Sequence, residues 1–167
     1  MQIRIAGKVD ESIVDGPGFR YAVFTQGCRH HCPGCHNPET HDFEGGFPAD
    51  CRELLGEMAD NPLLDGLTLS GGDPFEQVPA SAFLARGARA LGLNVWVYSG
   101  YTFEQLYRRP DCRELLTACD VLVDGPFVLA QRTLELRFRG SRNQRLIDLP
   151  ASLAQGRPVC FSLGDDE

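Results

Sequence analysis

FRYAVFTQGCRHHCPGCH, residues 19–36, decides how this chain is read. Its first part, Phe19 to Thr25, is apolar, aromatic and β-branched enough for a buried strand. Its second part places Cys28, Cys32 and Cys35 on one short loop with C-x3-C-x2-C spacing. The strand therefore delivers three thiols to its own carboxyl end. Three thiolates can hold a metal centre, but ordinary iron–sulfur clusters and structural zinc sites take four protein ligands. One metal position is left for another group to fill.

Working outward, strands and helices alternate. Residues 48–59 are predicted as a helix, with Cys51, Leu54, Leu55 and Met58 on one apolar stripe. Leu67 to Leu69 is a short strand that ends at Ser70-Gly71-Gly72. Asp73 as N-cap, Pro74 at the first helical position and Glu76 two residues on form a capping-box pattern. That helix is expected to end near Gly92. Leu93 to Tyr98 is the next strand. Thr102 with Gln105 opens a short helix that Pro110 stops, and Asp111 with Glu114 opens another. Asp120 to Asp124 is a fourth strand. Arg145 to Leu149 and Val159 to Leu163 are weaker strand candidates.

Repeated strand–helix units imply a parallel sheet, because parallel neighbours need crossovers. A closed eight-unit barrel needs about 200–250 residues. This chain has 167 residues, room for about four to six units. The expected fold class is α/β: a partial, open β/α barrel or a short sheet, mostly parallel, in a single domain over residues 1–167. In both, functional loops lie at the carboxyl ends of the strands. The cysteine loop, Gly71-Gly72-Asp73, Ser99-Gly100 and Asp124-Gly125-Pro126 all follow predicted strands. They are expected on one face, as one composite site.

The net charge is -7, which argues against a nucleic-acid partner held by phosphate neutralisation. Every basic residue except Lys8 is arginine. The first residues carry no signal-peptide apolar block, and no stretch has the length of a membrane span. The 7 cysteines then read as thiols and metal ligands of a cytoplasmic protein, not as a disulfide framework.

Each candidate residue has two readings. A structural zinc site could be completed by His36, His41 or Cys51, but the second ligand pair of such sites is missing. The other reading is a [4Fe-4S] cluster with three cysteine ligands and one open iron. Asp73 can serve as a helix cap, although capping leaves two consecutive glycines unexplained. Ser99-Gly100 reads as a plain turn or as a pocket wall, and Asp124 as a cap or a pocket residue. Arg132, Arg137, Arg139, Arg142 and Arg145 read singly as a solvated face. Cys51, Cys112, Cys119 and Cys160 read as small buried apolar residues.

The cysteine spacing on a loop after the first strong strand resembles the signature of radical S-adenosylmethionine enzymes. Val14-Asp-Gly-Pro-Gly-Phe-Arg20 and Cys35-His-Asn-Pro-Glu-Thr40 resemble activating enzymes of glycyl-radical proteins. Asp120-Val-Leu-Val-Asp-Gly-Pro-Phe127 and Leu136 to Asp148 resemble the subfamily that activates anaerobic (class III) ribonucleoside-triphosphate reductase. The resemblance covers roughly residues 10 to 148, far more than a lone motif. Two positions depart from common patterns. Gly34 stands where many of these enzymes have an aromatic residue, as it does in the reductase activators. His41 stands where such activators commonly have tryptophan.

The resemblance implies an open β/α barrel of the radical S-adenosylmethionine type, with Cys28, Cys32 and Cys35 on the cluster. It implies S-adenosylmethionine on the open iron, lined by Gly34, Cys35, His36, Gly71, Gly72, Asp73, Ser99 and Asp124. Arg139, Ser141, Asn143 and Arg145 would belong to a pocket or partner surface. The implied reaction is reductive cleavage of S-adenosylmethionine, leaving a glycyl radical on the large reductase subunit. The implied electron donor is of the flavodoxin type. The alternatives are an activator of another glycyl-radical enzyme such as pyruvate formate-lyase, one acting on a small purine-like molecule, or a non-catalytic iron–sulfur or zinc module.

Overall fold

The computed structural model describes residues 1–163. Its centre is the strand the cysteine stretch predicts. A first strand, β1 (Gln2–Ser12), lies beside β2 (Arg20–Thr25) and runs antiparallel to it. β3 (Phe47–Asp50) then pairs with the far edge of β1, and α1 (Cys51–Ala59) follows directly. The chain continues through β4 (Gly66–Gly71), α2 (Val78–Ala90), β5 (Asn94–Tyr98), α3 (Phe103–Tyr107), α4 (Arg113–Ala118), β6 (Val121–Asp124), β7 (Arg145–Asp148) and α5 (Leu149–Gln155).

The seven strands form one sheet in the order β3-β1-β2-β4-β5-β6-β7. β2, β4, β5 and β6 are parallel neighbours, each reached through a helical crossover. β3 points the same way, being antiparallel to the antiparallel β1. β7 returns antiparallel on β6, so an irregular loop suffices where a parallel neighbour would need a crossover. The outermost strands, β3 and β7, do not pair with each other, and the sheet stays open.

Side chains alternate between the two faces of the sheet. One set, including Ile3, Ile5, Tyr21, Val23, Leu67, Leu69, Val95, Val97 and Leu122, packs with the helices into the main core. The opposite set includes Trp96, Val121, Val123 and Leu146, covered by Phe138 and Phe161. Arg20 is also fully buried. It donates to Thr68 Oγ1 at 2.8 Å and to the Leu67 carbonyl at 2.8 Å, and stands 5.8 Å from the Trp96 ring centre. Removal from water lowers its pKa to about 10.

Several local expectations need correction. Residues 48–50 belong to β3, and the helix starts at Cys51, capped by Asp50 accepting from the Arg52 N–H at 2.8 Å. A proline fits there because β3 is an edge strand. Asp73 caps a single 3-10 turn, Pro74–Glu76, instead of the long helix. Gln77 breaks the continuity, because its amide bonds Arg4 of β1 and Gln26 after β2. Glu76 makes no capping box and instead accepts from Tyr101 Oη at 2.7 Å. Asp111 lies in a 3-10 turn and pairs with Arg109, so α4 starts at Arg113 with no side-chain cap. Among the described residues, Val159 to Leu163 forms no strand, and Cys160 makes an isolated bridge to Ile147. The Thr102–Gln105 capping box forms as predicted.

Candidate functional site

A cavity of about 590 Å³ opens where β2, β4, β5 and β6 end. Cys28, Cys32, Cys35, Gly71, Gly72, Ser99, Gly100 and Gly125 all line it. The four loops singled out in the sequence therefore meet on one face.

The cysteine loop is folded by backbone conformation. Gly27 (φ +111°), His31 (φ +48°) and Gly34 (φ +75°) take positive φ, which reverses the chain within a few residues. The Gly27 N–H bonds the Thr40 carbonyl at 2.7 Å and the Cys28 N–H bonds the His41 carbonyl at 3.2 Å, closing the loop. His41 thus contributes its backbone there, whatever its side chain. The Cys35 N–H reaches the Cys32 carbonyl at 3.1 Å. Cys28 is buried, Cys32 and Cys35 are half-buried, and all three are free thiols. Burial pushes the Cys28 thiol up to about 11.

Among the described residues, no three His, Cys, Asp or Glu side chains converge as ligands of a single ion. A four-iron cluster makes a different demand, since each thiolate binds its own iron. Three free thiols spread around one cavity fit that donor set.

Gly71 and Gly72 line the cavity, but their need for glycine comes from the protein itself. A Cβ on Gly71 (φ +98°) would stand 2.5 Å from the Thr25 nitrogen. One on Gly72 would meet the Gly27 carbonyl. The Gly72 N–H bonds Thr25 O at 2.8 Å and the Asp73 N–H bonds Gly27 O at 2.9 Å. The glycines let the end of β4 lie against the start of the cysteine loop.

Asp73 is fully buried, outside the cavity lining. Its Oδ1 accepts from the Phe75 N–H at 3.0 Å, and its Oδ2 from the Ser99 hydroxyl at 2.9 Å and the Gly100 N–H at 3.0 Å. Asp124 is also buried and outside the lining, held by the Phe103 N–H at 2.8 Å and by Arg145. Both acids therefore fix loops here. Gly34 is likewise outside the lining, whereas His36 lines the cavity with its ring 5.2 Å from Phe127. Of the later stretch, Arg139 reaches the cavity. Ser141 accepts from the Val128 N–H at 3.2 Å, and Asn143 donates to Pro126 O at 2.8 Å, so both shape the loop between β6 and β7.

The sequence reading passed over His30, which lines the cavity. Its position between two cysteines was the available signal, but its partner, Asp73, lies far along the chain. Tyr98 and Gln144 also line the cavity. Cys51, Cys112 and Cys119 are buried as expected, but Cys160 is exposed, which corrects its reading as a core residue.

Residues 14–147 match the family model described as a 4Fe-4S single cluster domain. The anaerobic ribonucleoside-triphosphate reductase-activating protein of Escherichia coli (strain K12) is 36% identical over 140 residues, covering 79% of this chain and 90% of that one. The chain belongs to the family of anaerobic ribonucleoside-triphosphate reductase-activating proteins. The member of this activating-protein family from Haemophilus influenzae is 34% identical, covering 79% of this chain and 89% of its own. The family's member from Enterobacteria phage T4 is 34% identical, covering 80% of this chain and 86% of its own. Among solved structures, QueE from Escherichia coli aligns with a TM-score of 0.44 at 17% identity, over 61% of this chain and 54% of that one. Among the described residues, no helix is long and apolar enough to cross a membrane.

Proposed function

We propose that this chain activates anaerobic ribonucleoside-triphosphate reductase by one-electron chemistry at a [4Fe-4S] cluster. Cys28, Cys32 and Cys35 hold the cluster and leave one iron open for S-adenosylmethionine. The observation carrying this reading is that three free thiols of a chain in this family line one cavity. Its volume falls within the range of ligand sites, about 300–1,000 Å³.

When bound, cluster and S-adenosylmethionine supply the reductive sulfur–carbon cleavage that leaves a glycyl radical on the large reductase subunit. The chain's own residues bind, orient and exclude water. Gly71 and Gly72 offer backbone to the ligand on the side facing the cavity. Gly34, Cys35, His36 and Ser99 lie on loops around it. Asp73 and Asp124 act by holding those loops. Arg139, at the cavity lining, offers a cation to a carboxylate or to the partner. The finer architecture is a partial β/α barrel in a single domain, open so that a macromolecular glycine loop can enter. A flavodoxin-type protein donates the electron, in the cytoplasm.

The test is anaerobic reconstitution with iron and sulfide, reduction, and assay for 5′-deoxyadenosine with and without the large reductase subunit. Spin resonance of the mixture should show a glycyl radical on that subunit. Zinc in place of iron, or a radical on another glycyl-radical enzyme with none on the reductase, would overturn the proposal.

A further inference from the structure

His30 stands inside the three-residue gap between Cys28 and Cys32, and its imidazole points across the site. Nε2 lies 2.8 Å from Asp73 Oδ2, a hydrogen bond in which the carboxylate accepts. The ring packs edge-on against Tyr101 with centres 4.4 Å apart. It also fills the space where any side chain at Gly100 would go. One ring therefore touches the loops that follow β2, β4 and β5.

An ionised carboxylate has roughly four acceptor positions. On Asp73 they go to the Phe75 N–H, the Ser99 hydroxyl, the Gly100 N–H and His30. The first three come from the loops after β4 and β5, and His30 alone reaches this carboxylate from the cysteine loop. The neighbouring tie, Arg29 Nε to Glu76 Oε2 at 2.8 Å, has an arginine side chain 72% exposed. Its Glu76 side chain is 5% exposed, but the guanidinium stays solvated, which weakens this second tie from the cysteine loop. The His30 side chain is 16% exposed and that of Asp73 0%, so their bond is shielded from competing water.

We propose that His30 is a positioning residue that locks the cluster-bearing loop to the Asp73–Ser99–Gly100 network, setting the open iron against the S-adenosylmethionine pocket. This rests on reading the cavity as a cluster and S-adenosylmethionine site. Asp73 then serves the ligand through His30, Ser99 and Gly100 and not by contact. The cysteines hold the cluster with or without His30. What His30 adds is registration between cluster and ligand.

The test uses the reconstituted wild-type protein, His30→Phe and His30→Gln. Phenylalanine keeps a ring against Tyr101 and loses the donor; glutamine keeps a donor near the place of Nε2. The readouts are iron and sulfide content, S-adenosylmethionine affinity by equilibrium dialysis, and the change in the reduced cluster's spin-resonance spectrum when S-adenosylmethionine is added. His30→Phe should keep its iron, lose about tenfold in affinity, the scale of one charge-assisted hydrogen bond, and lose most of the spectral change. His30→Gln should recover the affinity and the spectral change. Wild-type affinity and spectra in His30→Phe would overturn the proposal. So would failure of His30→Gln to recover either readout. Loss of iron from His30→Phe would also overturn it, by assigning the ring to ligand-loop folding alone. Absence of any spectral response in the wild-type protein would instead overturn the underlying cofactor reading.

Discussion

Arg145 closes a fork on the buried carboxylate of Asp124, with Nε 3.1 Å from Oδ1 and Nη2 2.6 Å from Oδ2. The same guanidinium also binds Glu104 at the start of α3. One arginine on β7 thus fixes the end of β6 and the helix after β5, which frames the cavity. Replacing it leaves Asp124 charged, buried and short of partners. Arg145→Ala should cost about 3 kcal/mol or more in denaturant unfolding. Adding Asp124→Asn should recover part of that loss, and strict additivity of the two changes would contradict the coupling.

Glu104 gives a pH dependence of known sign. Its hydrogen bond from Arg145 holds its pKa below the usual carboxylate value of 4.5. A carboxylate depressed in the folded state contributes stability above its unfolded pKa and loses it as pH falls through the folded value. The wild-type advantage over Glu104→Gln should be present at neutral pH and fade below about pH 4.5. The side chain is 47% exposed, so the effect should stay below about 1 kcal/mol. Unfolding curves of both proteins across that range decide it, and a pH-independent difference would count against the pairing.

Iron content should separate the seven cysteines into two classes. Serine at Cys28, Cys32 or Cys35 should abolish stable cluster binding, read by iron assay and visible absorbance after anaerobic reconstitution. Cys119→Ala and Cys160→Ser should keep the iron, because one thiol is buried in the core and the other is exposed. Full iron in any variant of the triplet would mean the wrong ligands have been named.

Thiol labelling of the metal-free protein tests the burial of the first ligand. The thiolate is the reactive form. A shift from 9.0 to about 11 lowers the thiolate fraction of Cys28 about a hundredfold at about pH 8. Alkylation followed by mass spectrometry should find Cys28 protected relative to a free thiol and increasingly reactive as pH rises. Labelling at the rate of a free thiol at pH 8 would contradict the buried environment.

Glycine substitution distinguishes close approach from tolerance. Gly71→Ala must accept φ +98° and a clash with the Thr25 backbone, at a cost of about 1–3 kcal/mol or more. Its iron retention should fall as well, because the displaced backbone carries the cysteine loop. Gly7→Ala meets nothing within 4 Å and should be close to neutral. Similar melting temperatures for the two variants would refute this packing account.

The cysteine loop, the strands after Phe19, Leu67, Leu93 and Asp120, and the Thr102 cap were legible because each is a local pattern. A buried parallel strand needs a short apolar run, and a capping box needs residues three apart. β1 was missed because Ile3 and Ile5 are its buried large apolar residues, while residues 8–11, past the stretch paired with β3, are exposed. The helix at Asp73 was misread because Gln77 spends its amide on β1 and on Gln26, a demand invisible within the segment.

The sequence by itself determined the three thiols, their spacing, the alternation of strand and helix, and the loops that would share a face. Only the tertiary structure decided what the acids and glycines do. Asp73 and Asp124 turn inward to donors from other loops, and Gly71 and Gly72 make room for the neighbouring backbone. The physical reason is that a buried carboxylate must find donors wherever the fold brings them. For Asp73 these are His30 before it and Ser99 after it, neighbours only once the sheet has formed.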